Sequence, residues 1–413
     1  MENQNQQSEP LCYAPFMHLF YKGDANISLM RPCCETRNTE KTSDITFADY
    51  KDYWTSEYMK NVRQQMLDGI VPEFCKNCLH IEKTLGYNAR RIYNHMARRL
   101  SLEQPLKLSV ETGNQYNAPL ALDIRASNLC NLQCRMCKPG SSSQIAKEIT
   151  NHQSEYLQAD PDKIFDVTVK SANQYLYKKN NDTNNFVEQI PFENVKRMKL
   201  LGGEPLLHDE SWLAIDKFSN SVNVEECELI FTTNGTVYPK DFDKIVSKFK
   251  LCKIMISLDG TGKDYEYVRS NGNWNVVKNN IKKFLNLSKH NKNVKIETSF
   301  VMQMYNILNV KDIAEFDAWF RSRGGNSVLY AHVEQNWLST AFLTDKDRKH
   351  VLKSISSSPY VTREIKNILD FDKNRKLRKG EFEYFKNYTK LQDKLRNTNL
   401  NHLNKRYGKY LDG

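Results

Sequence analysis

No stretch of the 413-residue sequence approaches the ~18 consecutive apolar side chains that a bilayer-spanning helix requires, so a spanning helix is excluded. The opening MENQNQQSEP has neither a charged n-region nor an apolar h-region; it does not read as a signal peptide, and a cytoplasmic protein is expected. No internal repeat is visible. Buryable surface, by contrast, is not lacking: 39% hydrophobic and 11% aromatic residues are too many for a solvated, disordered chain. At ~100–200 residues per domain the length allows two or three domains. Without a secretion signal, the ten cysteines read as metal or redox ligands before disulfides. Eight of them fall at or before residue 137.

From Pro119 onward, β-rich runs alternate with longer polar or amphipathic stretches, the pattern of a parallel α/β sheet. Six strands are expected: 120–127, 195–203, 228–235, 252–260, 294–303 and 327–335. Several end in Gly, Ser, Thr, Asn or Asp, residue types that build ligand loops at the carboxyl edge of such a sheet. Between the first two strands, 141–194 reads as a helix followed by an exposed loop. The formal charge of +11 is concentrated: residues 341–413 hold 18 Lys/Arg against 9 Asp/Glu. Within that tail FEYFKNYTKLQDKLR (382–396) sets Phe, Tyr and Leu at helical spacing, so an amphipathic helix packed on the core is expected, with docking of a polyanion or acidic peptide as the alternative.

The sharpest motif is SNLCNLQCRMCKPG, with Cys130, Cys134 and Cys137 as C-x3-C-x2-C just after the first expected strand. Three closely spaced thiolates can hold three irons of a [4Fe–4S] cube and leave the fourth open to a ligand, as catalytic metal sites do. A zinc site completed by a distant Cys or His is the alternative, but zinc pairs usually read C-x2-C twice. With these residues the sequence resembles the radical S-adenosylmethionine (SAM) superfamily. In that family the three cysteines ligate the cluster and SAM chelates the remaining iron. The slot before the third cysteine, commonly aromatic in the family, is Met136 here.

LLGGEPLL follows at the end of the second expected strand, with Gly202 standing 65 residues after Cys137. The resemblance implies that Gly202, Gly203 and Glu204, with Pro205, bind the SAM ammonium: paired glycines let a ligand approach the main chain, and a carboxylate complements the charge. It likewise implies SAM contacts from Asn234 in TTNG, Ser257 and Asp259 in ISLDG, and Arg269 in YEYVRSNG. Asp259–Gly260 also suits a plain turn, and Arg269 a plain ion pair. Cys227 and Cys252 read as ordinary buried cysteines.

Upstream, Cys12, the Cys33–Cys34 pair and Cys75-x2-Cys78 form a second set. Four thiolates would close a cluster with no open site, which suits an electron relay or a structural centre. Trp54, Arg63, Gly69, Pro72 and the C-x2-C follow in an order similar to the SPASM or shorter twitch auxiliary-cluster modules of peptide-modifying radical SAM enzymes, here placed before the barrel instead of after it. Cys12, Cys33, Cys75 and Cys78 are the implied ligands of a second [4Fe–4S] cluster; Cys34 is an equally placed substitute for Cys33, and zinc fits the same set.

The resemblance therefore implies an α/β fold with a partial (β/α)6 TIM-like barrel over 119–340, an N-terminal iron–sulfur module over 1–110 and a basic helical extension over 341–413. It also implies reductive cleavage of SAM to a 5′-deoxyadenosyl radical that abstracts hydrogen, with a peptide or protein side chain as substrate and an electron donor such as flavodoxin or ferredoxin. Modification of RNA or a nucleotide is the competing enzymatic reading, prompted by the basic tail. A non-catalytic Fe–S or zinc protein is the reading from another class.

Overall fold

The computed structural model describes residues 11–24, 27–34, 36, 49–76, 78–79, 82, 89–101, 118–178 and 182–411. Among the described residues there are ten strands: β1 (His18–Asp24), β2 (Ile27–Arg31), β3 (Ala121–Arg125), β4 (Gln133–Cys134), β5 (Arg197–Leu201), β6 (Glu228–Thr233), β7 (Leu251–Ser257), β8 (Arg269–Ser270), β9 (Val294–Met302) and β10 (Ser327–His332). Eight of them form one sheet in the order β10-β9-β7-β6-β5-β3-β1-β2, and β4 pairs with β8 in a separate ribbon. All six expected strands are present, and each runs parallel to the next in chain order. This α/β arrangement has the order of an open (β/α)6 barrel.

Strand chemistry explains the layering. Cys252, Ile254 and Ile256 of β7 are buried while the residues between them are half-exposed, so one face of the sheet packs on helices and the other faces a concave lumen. Helices Asp209–Ser219, Trp274–His290 and Val310–Ser322 cover the outer face with Phe218, Ile281, Phe284 and Phe320, all essentially without exposure. Asn273 caps the second of these, its side chain accepting from Val276 N–H at 3.1 Å. Cys227 and Cys252 lie buried in this core, as expected.

Two expectations change. The N-terminal segment contributes strands to the barrel sheet: β1 runs parallel to β3, His18 opposite Ala121, and β2 returns antiparallel at the edge. An ionic group on the lumen side joins the three strands, Asp123 of β3 lying 3.0 Å from Arg197 of β5 and 3.3 Å from His18 of β1. Although burial opposes it, His18 and Arg197 hold the Asp123 carboxyl well below the usual range. The segment 141–194 is not an exposed loop after its helix Ser143–Asn151. It folds into short helices at Gln153–Gln158, Asp166–Lys170 and Asp182–Gln189 that bury Tyr156, Val169 and Phe186 in the main core; residues 179–181 lie outside the described set.

The tail forms helices Asp345–Ser354, Pro359–Lys373 and Glu381–Arg396, the last burying Tyr384, Phe385 and Tyr388 against the body of the protein. Among the described residues no helix is long and apolar enough to cross a membrane.

Candidate active site

The three barrel cysteines lie on the loop between β3 and helix Ser143–Asn151, at the carboxyl rim of the sheet. Short polar side chains stitch this loop. Asn128 Nδ2 donates to the carbonyls of Pro139 (3.0 Å) and Tyr175 (2.7 Å). Ser142 caps the helix and donates to Leu132 O at 2.7 Å, and Ser143 Oγ accepts from Cys130 N–H at 3.2 Å. Cys130, Leu132 and Cys134 form a small buried cluster against which Met136 and Cys137 pack, so the methionine supplies apolar shielding.

The GGEP turn is fastened to the same loop. Glu204 N–H and His208 Nε2–H both donate to the Leu129 carbonyl, each at 2.8 Å. Gly202 and Gly203 both have positive φ, +85° and +52°, and a Cβ on Gly203 would stand 2.2 Å from Leu129 O. The paired glycines thus let the turn press on the cysteine loop, a contact that the sequence reading assigned to a ligand. The Glu204 carboxylate is fully buried, its Oε1 accepting from Thr233 Oγ1 (2.7 Å) and Leu206 N–H (3.2 Å) and its Oε2 from Asn234 N–H (2.6 Å). Burial nonetheless pushes this carboxyl up to about 7, so a cationic group brought against it would be strongly favoured.

Asn234 links this acid to the thiols: its Nδ2 donates to Asn131 Oδ1 at 3.0 Å and lies 3.8 Å from Cys130 Sγ. On the other side of the loop, the β4–β8 ribbon sets Cys134 opposite Arg269. Arg269 Nη1 is 3.8 Å from Cys134 Sγ, while its Nε and Nη2 donate to Asp259 Oδ2 at 3.0 and 2.6 Å. Asp259 adopts φ +56°, and its Oδ1 accepts from Val301 N–H at 2.7 Å. The turn and the ion pair are therefore one device that aims a guanidinium at the loop.

Burial, followed by neighbouring Cys134, pushes the Cys130 thiol up to about 12. Cys134 and Cys137 share a hydrogen bond that lowers the first, with Arg269 helping against burial. Ser257 stands apart from these contacts, half-exposed at the end of β7, where Ser299 Oγ donates to it at 3.3 Å.

Four residues that sequence reasoning missed hold the loop from outside. The Arg135 guanidinium, without exposure, donates to Asp393 Oδ1 and Thr398 Oγ1, both at 2.7 Å, and lies 3.7 Å from the Tyr267 ring centroid. Arg396 donates to Gln133 O at 2.9 Å and pairs with Glu148 at 2.7 Å. Gln335 Nε2 donates to Met136 O at 2.8 Å, and His208 is the fourth. Only the apolar spacing of 382–396 hinted at a packed helix there; nothing local identified its polar partners.

The second cysteine set also converges. Cys12, Cys33, Cys75 and Cys78 line one cavity with Met66, Phe74 and Tyr93, whereas Cys34 is exposed, its Sγ 3.9 Å from Tyr93 Oη. Burial pushes the Cys75 thiol up to about 12, with Cys33 and Cys78 adding to the effect, and Cys12 is raised by burial and by the same group of sulfurs. Arg63 and Trp54 act as scaffold: Arg63 donates to Pro15 O and Trp54 O, both at 2.8 Å, and stacks over the indole. Gly69, at φ +69°, ends helix Glu57–Leu67, and Pro72 opens the turn carrying Cys75. Among the described residues no group of three or more His, Cys, Asp or Glu side chains is arranged to hold a single metal ion.

The Radical SAM superfamily family model matches residues 124–319, from β3 through helix Val310–Ser322, and so takes in the cysteine loop, the GGEP turn and Arg269. The chain carries a radical SAM domain. Among solved structures, Streptococcus suis SuiB bound to precursor peptide SuiA is 13% identical, with 76% of this chain and 65% of that chain covered and a TM-score of 0.39. Native anSMEcpe with bound AdoMet is 17% identical, with 60% and 63% covered and a TM-score of 0.38. The chain thus spans under two thirds of the length of either structure. No curated protein sequence matches it. The donor set fits the group this family carries: three thiols on one loop, shielded by Met136 and faced by the Arg269 guanidinium, suit a thiolate-bound iron–sulfur cluster.

Proposed function

We propose that this protein is a radical SAM enzyme that modifies a peptide or protein side chain. The observation that carries the reading is the convergence, at the carboxyl rim of the barrel, of the three-thiol loop with a buried carboxylate and a fixed guanidinium. Cys130, Cys134 and Cys137 would hold the [4Fe–4S] cluster, and Glu204, with the Gly202–Gly203 backbone, would receive the ammonium of SAM. Asn234, Ser257, Asp259 and Arg269 would complete the pocket, with Arg269 offsetting thiolate charge at Cys134. Held by these residues, the cluster would supply one-electron reductive cleavage of SAM as the source of hydrogen-abstracting chemistry. The chain itself orients the substrate C–H in the lumen and excludes water from it.

The domain division follows the same reading, with the auxiliary module within 1–110 joined to the barrel sheet through β1 and β2, the barrel over 119–340 and the extension over 341–413. The second set, Cys12, Cys33, Cys75 and Cys78, would hold an auxiliary cluster able to accept the electron left after hydrogen abstraction. This supports oxidation or cross-linking of a peptide, with reducing equivalents from a flavodoxin- or ferredoxin-type donor in the cytoplasm. Cys33 is favoured over Cys34 because it lines the shared cavity. The basic tail supports RNA as a substrate less well, since Arg396 and the apolar face of its helix are engaged within the protein.

The test is to mix reduced, anaerobically reconstituted protein with SAM and assay 5′-deoxyadenosine. Formation above a Cys130→Ala control is expected. None, with the wild-type cluster verified intact, would overturn the proposal.

A further inference from the structure

On the concave face of the barrel sheet, cations outnumber carboxylates. Along β7 and β9 the half-exposed residues Lys253, Met255, Glu297, Ser299 and Val301 alternate with buried ones, which places them on the concave face. The same face of β3 and β5 carries Arg125 and Lys199. Lys199 stands between the buried Met198 and Leu200, beside Asp123 on one strand and Ile230 on the next.

Two of the lumen cations are already paired. Lys253 lies 3.0 Å from Glu297, and Arg197 lies 3.0 Å from Asp123. Arg125 has no carboxylate partner among the described residues, and Lys199 faces Asp123, which Arg197 and His18 already share, without a close ion pair. Arg125 Nη2 donates only to neutral acceptors, Gly140 O at 2.6 Å and Ser141 Oγ at 2.9 Å, and its buried Nε has no partner. Three cations, Arg125, Arg197 and Lys199, thus stand against one carboxylate, Asp123, on this stretch of the face, an excess that attracts an anion. The apolar part of this face on β5, β6, β7 and β9, Leu201, Ile230, Met255 and Val301, is aliphatic and suits an alkyl side chain, with Phe20 of β1 on the same face opposite Asp123.

We propose that the lumen binds a peptide through a carboxylate, with Lys199 as its ionic partner, Arg125 as the second charge, and an aliphatic side chain of the same peptide against Ile230 and Met255. The assignment deepens the radical SAM reading and rests on it. It names a substrate class: a peptide whose modified residue neighbours Asp, Glu or a free C-terminus.

The experiment uses reconstituted full-length protein with SAM and fluorescent, C-terminally amidated peptide pools that fix a central Glu, Gln, Lys or phosphoserine. A Gln pool with a free C-terminus and a single-stranded RNA oligonucleotide complete the probes. Anisotropy gives affinity, and the change in the cluster EPR signal on adding SAM reports the neighbouring site. The Glu pool should bind about tenfold tighter than the amidated Gln pool, the effect of one charge-assisted hydrogen bond. If the free-acid Gln pool matches it, the carboxylate is the C-terminal one. Lys199→Met should erase the preference, and Lys199→Glu should transfer it to the Lys pool, with the SAM-induced EPR change retained in both. Equal binding of the Glu, free-acid Gln and amidated Gln pools with that change intact, or tightest binding of phosphoserine or RNA, would overturn the proposal alone. Absence of the change in wild type would remove the radical SAM reading beneath it.

Discussion

Arg135 occupies the middle of the cysteine motif, yet its side chain runs away from the sulfurs into the C-terminal helix. Arg135→Met therefore tests whether that helix is part of the cluster site. The guanidinium is without exposure and Asp393 is 13% exposed, so the pair is effectively buried. Removing one partner of such a pair costs about 3–5 kcal/mol because the other charge is left uncompensated. Asp393 keeps Thr398 Oγ1 at 2.8 Å and Leu400 N–H at 3.0 Å, which favours the lower end. Loss of the cation–π contact with Tyr267 adds about 1–2 kcal/mol, giving a total of roughly 4 kcal/mol. Denaturant unfolding of Arg135→Met, Asp393→Asn and the double variant isolates the coupling, expected at about 2 kcal/mol or more. A loss below about 1 kcal/mol in the single variant, or no coupling, would refute the idea that the helix clamps the loop.

Four further outcomes follow. Cys33→Ser should lower iron from about eight to about four per chain while Cys34→Ser leaves it unchanged, and equal loss from both would discard the cavity-based choice of ligand. Gly203→Ala should strip the SAM-induced EPR change while the protein still folds, since its methyl would meet Leu129 O at 2.2 Å at φ +52°; an unchanged spectrum would contradict that close approach. With the Glu204 carboxyl raised to about 7, SAM affinity should rise by roughly tenfold from pH 6 to pH 8 as the group ionises; a flat profile would argue against a carboxylate partner for the ammonium. The same proton makes the ligand-free protein lose stability as pH climbs from the ordinary 4.5 toward about 7, by roughly 3 kcal/mol, because the folded state holds that proton more tightly than the unfolded chain.

The strands of the barrel were legible because each is a short β-rich run, several of them closed by Gly, Ser, Asn or Asp, and all six lie where those runs predict. The cysteine loop and GGEP turn were legible as local spacings. Local spacing did not reveal which backbone the glycines approach: Gly203 abuts Leu129, 74 positions earlier, and that is a property of strand adjacency. The short helices between 153 and 189 were read as loop because Tyr156, Val169 and Phe186 are too widely spaced to give a periodic stripe. In β1, Leu19, Phe20 and Tyr21 form a short apolar run, but the cysteines around it drew the segment into a separate module instead of the barrel edge.

The two ends of the chain converge on one structural element, and this makes the unusual order of the cysteine sets intelligible. β1 lies against β3 and places His18 beside Asp123, while His18 Nδ1–H donates at 2.9 Å to the carbonyl of Pro32, the residue before Cys33. Two residues past Asp123, β3 ends and the loop bearing Cys130 begins, and that loop is gripped at Arg135 by a helix 258 positions downstream. A module preceding the barrel can pair only with an edge the barrel leaves open, and the first strand of an open (β/α)6 sheet offers that edge. The upstream cysteines are thus tied through Pro32, His18 and Asp123 to the foot of the strand whose other end carries Cys130, Cys134 and Cys137. The N-terminal extension thus bears on the barrel thiols through β3, a strand of five residues, and the C-terminal helix bears on them directly at Arg135 and Gln133.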